Sequence, residues 1–117
     1  MPKPHVAISV RKVTSATAIL DIQGEVTGFA EDVLMDAYTQ ASDLGARIIA
    51  INFSNLDYMN SSGIGLLVTL LIRAQRSKQR LLACGLNEHY QQIFALTRLN
   101  EAIGIYGSEA DAVAAVG

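Results

Sequence analysis

The chain has 117 residues and a mass of 12.5 kDa, half of them hydrophobic and 17% charged, which describes one folded domain rather than several. Nine Lys and Arg against eleven Asp and Glu leave a net charge of -2, so the concentrated positive field that nucleic-acid binding requires is missing. The single Cys84 excludes an internal disulfide and a cysteine-built metal cluster, and its apolar setting, LLACG, fits a small core residue in a reducing cytoplasm. No apolar stretch approaches the ~20 residues of a membrane span, and MPKPHVAISV lacks a charged head followed by an apolar segment. A cytoplasmic location without membrane insertion is expected, and Asn52-Phe53-Ser54 and Asn60-Ser61-Ser62 carry no glycosylation meaning there.

In chain order, Pro2 and Pro4 mark residues 1–5 as a loose end, and residues 1–117 read as a single domain. Val6 to Arg11 and Thr17 to Asp21, rich in β-branched residues and separated by Val13-Thr14-Ser15-Ala16, predict an antiparallel hairpin. Val33, Leu34, Ala37, Ala41 and Leu44 follow helical spacing up to a terminating Gly45. Arg47 to Phe53, RIIAINF, is a continuous apolar run and predicts a strand covered on both faces. Ser54 to Met59 reads as a linker into a second helix, Ser62 to Ser77, with Ile64, Leu67, Val68 and Leu71 on its core face. Leu81 to Cys84 is a further buried strand, and Asn87 caps a helix from Glu88 to Arg98. Ile103 to Tyr106 is the last strand, and Ser108-x-x-Asp111 opens a helix from Glu109 to Val116 as a variant capping box. The order β-β-α-β-α-β-α-β-α predicts an α/β fold whose mixed sheet begins with a hairpin and continues in parallel strands separated by helices.

The informative segment is Leu56 to Leu71, LDYMNSSGIGLLVTLL, a polar turn with two hydroxyls and Gly-x-Gly entering an apolar helix. Asn60, Ser61 and Ser62 are all N-cap types, whereas Gly63 and Gly65 cost roughly 1 kcal/mol each in helix propensity. The glycines leave the helix start bare, open to another backbone, a bulky group or an anion at the free amides. A dinucleotide fingerprint would need a third glycine at Val68, and a phosphate loop would need a Lys-Ser/Thr pair that is missing. Nucleophilic use of Ser61 or Ser62 would need a base, and neither His5 near the loose end nor His89 at a helix start is placed as one. What remains is a phosphorylatable hydroxyl, set against a plain capped helix.

The turn and helix MNSSGIGLLVTLLIRAQ resemble the signature of the STAS domain of anti-sigma factor antagonists, Asp-Ser-Ser/Thr-Gly before a small and apolar helix. Gly24-Glu25-Val26 is similar to the family's Gly-Glu-Leu-Asp, and the resemblance covers nearly the whole chain. It implies a non-enzymatic regulator without cofactor that binds a kinase-type anti-sigma factor and releases a sigma factor. It further implies that this serine kinase phosphorylates the first hydroxyl, Ser61 rather than Ser62, and that a phosphatase restores the protein. Gly24, Glu25, Thr27, Tyr58, Met59, Asn60, Ser61, Ser62, Gly63 and Gly65 are the expected partner face, with Gly24 to Gly28 as a loop. On this reading Gly63→Val should leave the domain folded and weaken the partner.

The chain departs from the family pattern at Asn60 and Thr27, where acids are usual, so both positions lack the negative charge the family usually carries there. The same domain serves as a constitutive module in stress-signalling scaffolds and lipid-transport complexes, and the Gly63-x-Gly65 helix start also fits a small nucleotide- or anion-binding domain. Asp21, Glu25, Glu31 and Asp32 form an acidic stretch suited to a basic partner or to solvent. Arg73, Arg76, Lys78 and Arg80 cluster at a helix end, where cations also complement the helix dipole.

Overall fold

Alternating burial along Val6–Lys12 (β1) and a nearly unbroken apolar start to Thr17–Val26 (β2) suit an edge strand and its inner neighbour. In the computed structural model, which describes residues 5–116, these strands pair antiparallel from Val6–Gly24 to Lys12–Ala18. The expected loose end therefore falls almost wholly outside the described residues. A 3-10 turn at Gly28–Ala30 leads into α1 (Glu31–Asp43), followed by β3 (Ile48–Met59), α2 (Ser61–Arg76), β4 (Arg80–Cys84) and α3 (Glu88–Leu96). A second 3-10 turn, Leu99–Glu101, precedes β5 (Gly104–Tyr106) and α4 (Glu109–Val116). The five-stranded sheet has the order β1-β2-β3-β4-β5, and every pairing after the hairpin is parallel. The mixed α/β architecture expected from the order of elements is the one observed.

The main core lies on one face of this sheet, where Leu20, Ile22, Ile49, Ile51 and Phe53 meet Leu34, Tyr38, Leu67, Leu70 and Phe94 of the first three helices. On the opposite face Ile19, Ala50, Leu82 and Cys84 pack beneath Ala112 of α4. Successive β3 residues thus serve different layers, which is why RIIAINF has no polar alternation. Cys84 is fully buried, and that burial pushes its thiol pKa up.

α4 packs on β3, β4 and β5, and a polar tie joins its start to β1 and β2. Arg11 bridges Asp21 of β2 and Glu109 of α4, and Asn52 Nδ2 donates to Asp21 Oδ1 at 2.9 Å. The Arg11 hydrogen bonds hold the Asp21 carboxyl below its ordinary range against the opposing effect of desolvation, with Asn52 adding to the shift.

Three elements differ from expectation. Ser54 to Met59 is no linker, because β3 continues to Met59 alongside a β2 that itself runs to Val26. Register shifts lie between Asp21 and Gln23 and between Gly24 and Glu25, each opposite one extra β3 residue, so the polar residues Ser54, Asn55 and Asp57 ride on a bulged strand. The buried face of α2 is Gly63, Leu66, Leu67, Leu70, Leu71 and Ala74, and Val68 is exposed. α3 ends at Leu96, after which Arg98 turns left-handed at φ 61°.

A carboxylate whose pKa is depressed on folding contributes stability that is present at neutral pH and lost as pH falls through its folded value. The melting temperature of the wild type should therefore fall between about pH 5 and about pH 2 more steeply than that of Asp21→Asn, the variant starting lower at neutral pH. Thermal melts across that range check it; parallel curves would remove Asp21 from the acid limb.

Candidate partner-binding site

The turn before α2 is built by side-chain capping. Asn60 has extended backbone, φ -99° and ψ -178°, and its Oδ1 accepts the Gly63 amide at 2.9 Å. The Asn60 carbonyl accepts the first helical bond, from Ile64 N at 3.0 Å. Ser61 and Ser62 therefore occupy the first two helical positions, with exposed side chains and with amides that find no acceptor among the described residues. Asn60 is the cap, and neither serine is.

The end of β2 lies against this turn. Glu25 pairs with Tyr58 and Val26 with Met59, while Asn60 N donates to the Val26 carbonyl at 3.3 Å. The same carbonyl fills the space beside Gly63: a Cβ there would overlap the Val26 oxygen and stand 2.8 Å from its carbon and 3.0 Å from Met59 Cγ. Of the approaches left open at Gly63, another backbone is the one seen, and the expectation that Gly63→Val leaves the domain folded is corrected here. The missing side chain admits the chain's own backbone, and Gly63 is buried.

Gly24 to Val26 belong to β2 rather than to a loop. Gly24 has φ 101°, and a side chain there would run into the His5 carbonyl, which also accepts Glu25 N at 2.8 Å. Thr27 starts the 3-10 turn, its Oγ1 accepting Phe29 N at 3.3 Å and its carbonyl accepting Ala30 N at 2.9 Å. That turn abuts α2, since a Cβ on Gly28 would lie 3.6 Å from Ser62 Cβ. Asn60 and Thr27 thus both act as neutral caps.

The sheet brings Glu25, Thr27, Tyr58, Asn60, Ser61 and Ser62 to one end of the molecule, with Tyr58 49% exposed. Met59 is 4% exposed and acts from beneath. Gly65 stands a turn further along α2, exposed, with nothing within 4 Å of where its Cβ would be. His5 and His89 are both exposed. Two residues were missed by sequence reasoning. Phe29 is 67% exposed beside the Gly28–Ser62 contact, and its only signal was an aromatic between a glycine and an acidic helix start. Tyr90 is buried, with its hydroxyl 2.9 Å from Met59 N, so α3 holds the strand end that leads into the turn. Its position inside α3 marked it as core alone.

This combination, a hairpin-led five-stranded sheet with a glycine-spaced serine turn opening α2, defines a class. The STAS domain model matches residues 7–112, and the chain belongs to that family. It is similar to the anti-sigma-B factor antagonist of Staphylococcus aureus, 26% identical over 84 residues that span 72% of this chain and 78% of the relative. The structure of an anti-sigma factor antagonist from Mycobacterium paratuberculosis shares the fold with a TM-score of 0.79 at 16% identity, over 95% and 93% of the two chains. The phosphorylated form of the Bacillus cell fate determinant SpoIIAA does so with a TM-score of 0.74 at 21% identity, over 95% of this chain and all of that one.

Because the Val26 backbone cannot yield cheaply, Gly63→Val should destabilise the domain by about 2 kcal/mol or more rather than leave it folded. Tyr90→Phe, which strips Met59 N of its partner, should cost about 1–3 kcal/mol. Urea melts measure both, and a Gly63→Val midpoint equal to wild type would refute the close approach.

Proposed function

We propose that this protein is an anti-sigma factor antagonist that acts in the cytoplasm by protein binding, without catalysis or cofactor. Its partner is a kinase-type anti-sigma factor, which binds the Ser61 end and switches the protein off by phosphorylating Ser61; a phosphatase reverses the change. The observation that carries this reading is the exposed Ser61 hydroxyl at the first position of α2, beside two unpartnered amides, in a chain of the STAS family. The names of the relatives, antagonists of anti-sigma factors, agree with it.

The surface around Ser61 fits such a partner. Tyr58 and Phe29 offer exposed rings, and Glu25, Thr27, Asn60 and Ser62 supply polar contacts. Gly24, Met59 and Gly63 set the shape of this surface from within it. Gly65 has a different role: helix stability argues against it and no neighbour uses its space, so it gives a partner room to approach α2.

A phosphate at Ser61 brings about -1.5 to -2 charge to a helix N-terminus, where free amides and the dipole favour it. The fold should persist while a partner closed over the turn is displaced. A constitutive binding module is the second reading, favoured by the neutral caps Asn60 and Thr27, which leave the hydroxyl without a neighbouring acid.

Ser61→Asp should melt within about 3 °C of wild type yet bind the anti-sigma factor of the same organism at least about tenfold more weakly, whereas Ser61→Ala should bind and resist inactivation. Incubation with that kinase and ATP, followed by mass spectrometry, should place phosphate on Ser61, and Asn60→Asp should accelerate its arrival. Phosphate confined to Ser62 or to another element would move the site. No phosphate in either variant, with binding intact, would establish the constitutive module.

A further inference from the structure

At the end of the sheet opposite Ser61, where the parallel strands begin, basic residues gather, with Asp43 at the end of α1 among them. Apart from Arg11 and Arg98, which make ion pairs, every Lys and Arg of the described residues lies there: Lys12, Arg47, Arg73, Arg76, Lys78 and Arg80. Between the C-terminal ends of α1 and α2 this surface opens into a cleft of about 400 Å³ lined by Tyr38, Thr39, Ser42, Arg73, Arg76 and Ser77. Cations and hydroxyls line it, and no carboxylate does.

The wall of the cleft is organised in advance. The Arg73 guanidinium lies 4.9 Å from the Tyr38 ring centroid. Tyr38 is itself fixed, its hydroxyl donating to Gln79 Oε1 at 2.6 Å, and Gln79 Nε2 donates to Ser42 Oγ at 3.1 Å and to the Ala46 carbonyl at 2.9 Å. Ser42 Oγ accepts there, so its own O–H remains able to donate. Among the described residues neither Arg73 nor Arg76 pairs with a carboxylate or donates a side-chain hydrogen bond to a helix carbonyl. Complementing the helix dipole thus leaves the guanidinium forks unused.

We propose that this cleft is a second binding site, for a phosphate group, held by the paired forks of Arg73 and Arg76 and separate from the Ser61 surface. Guanidinium forks match phosphate oxygens two at a time, and the neighbouring hydroxyls supply further donors. A lone carboxylate, with two oxygens, would leave part of this donor set idle. The cleft is open to solvent and wider than a bare phosphate, so it has room for a phosphate carried on a larger group, either a soluble molecule or a lipid headgroup.

Two probes separate those sources: inorganic pyrophosphate followed by amide chemical shifts, and sedimentation with phosphatidylcholine vesicles with and without phosphatidic acid, both at about 0.15 M salt. Pyrophosphate should shift the Ser42 and Ser77 amides saturably if the source is soluble, and phosphatidic acid should be required for sedimentation if it is a headgroup. Either response should weaken at least about tenfold in Arg76→Gln and in Arg73→Lys, which keeps the charge and loses the fork, and should persist in Arg98→Gln. Arg76→Gln, which leaves the Arg73–Tyr38 stack in place, keeps the test valid should Arg73 variants melt early. Absence of both responses in the wild type, responses unchanged in Arg76→Gln, or shifts centred on Ser61 and Ser62 would each overturn the proposal.

Discussion

The contact on which the Ser61 end of this molecule depends is the one between the Val26 carbonyl and the Cα of Gly63, with no side chain between them. That oxygen also receives the Asn60 amide, so one peptide group both closes the last β2–β3 rung and seats the first turn of α2. Any larger residue at position 63 would push the helix start away from the strand. The 3-10 turn behind Val26 would then lose its place beside Ser62, and the Thr27, Tyr58 and Ser61 surfaces would no longer share one plane of approach. Tyr90 secures the same seam from α3 through Met59 N. Three elements far apart in sequence thus converge on a turn whose own residues are small and polar.

The two ends of the sheet carry opposite charge, and this bears on how a switch at Ser61 would operate. Glu25, Glu31, Asp32, Asp57 and Glu88 lie toward the end where the parallel strands finish, and the Lys and Arg cluster lies where they start. A partner drawn to the acidic end is a basic one. Phosphate on Ser61 would increase that long-range attraction, so it cannot act by simple repulsion. Its effect must come at contact, from bulk and from the cost of burying a dianion against a surface shaped for a bare turn.

Much of this was legible in the sequence because the signals were local. The β-branched hairpin, the unalternating RIIAINF strand and the Asn87 cap, whose Oδ1 accepts Tyr90 N at 3.0 Å, follow from nearest-neighbour chemistry. The extension of β3 through Ser54, Asn55, Leu56 and Asp57 was hidden, because those residue types mark turns and the strand tolerates them only through two irregularities in its pairing with β2. The core face of α2 was misjudged at Val68, since Val68 and Ile72 put apolar side chains on the exposed side as well and spacing alone does not fix the rotation. Gly63 was singled out for the right reason, a space needed for close approach, but which backbone fills that space is a tertiary fact. Tyr90 is marked by its spacing only as a core residue of α3, as a hydroxyl aimed at a distant amide leaves no local pattern.

The sequence of α2 itself unites the two ends. SSGIGLLVTLLIRAQR contains no acid, opens on unpartnered amides and closes on Arg73 and Arg76. Each terminus therefore already has the electrostatic character its position favours: the amides at the start invite an anion, and the cations at the end oppose the exposed carbonyls. Adding negative charge at Ser61 completes this arrangement instead of opposing it. A helix so disposed can carry a phosphate without strain in the fold, with Asn60 still capping Gly63 and Val26 still seated against it. A phosphate placed there would be felt by a partner at the surface and scarcely by the core, the separation that a reversible switch in a domain this small would require.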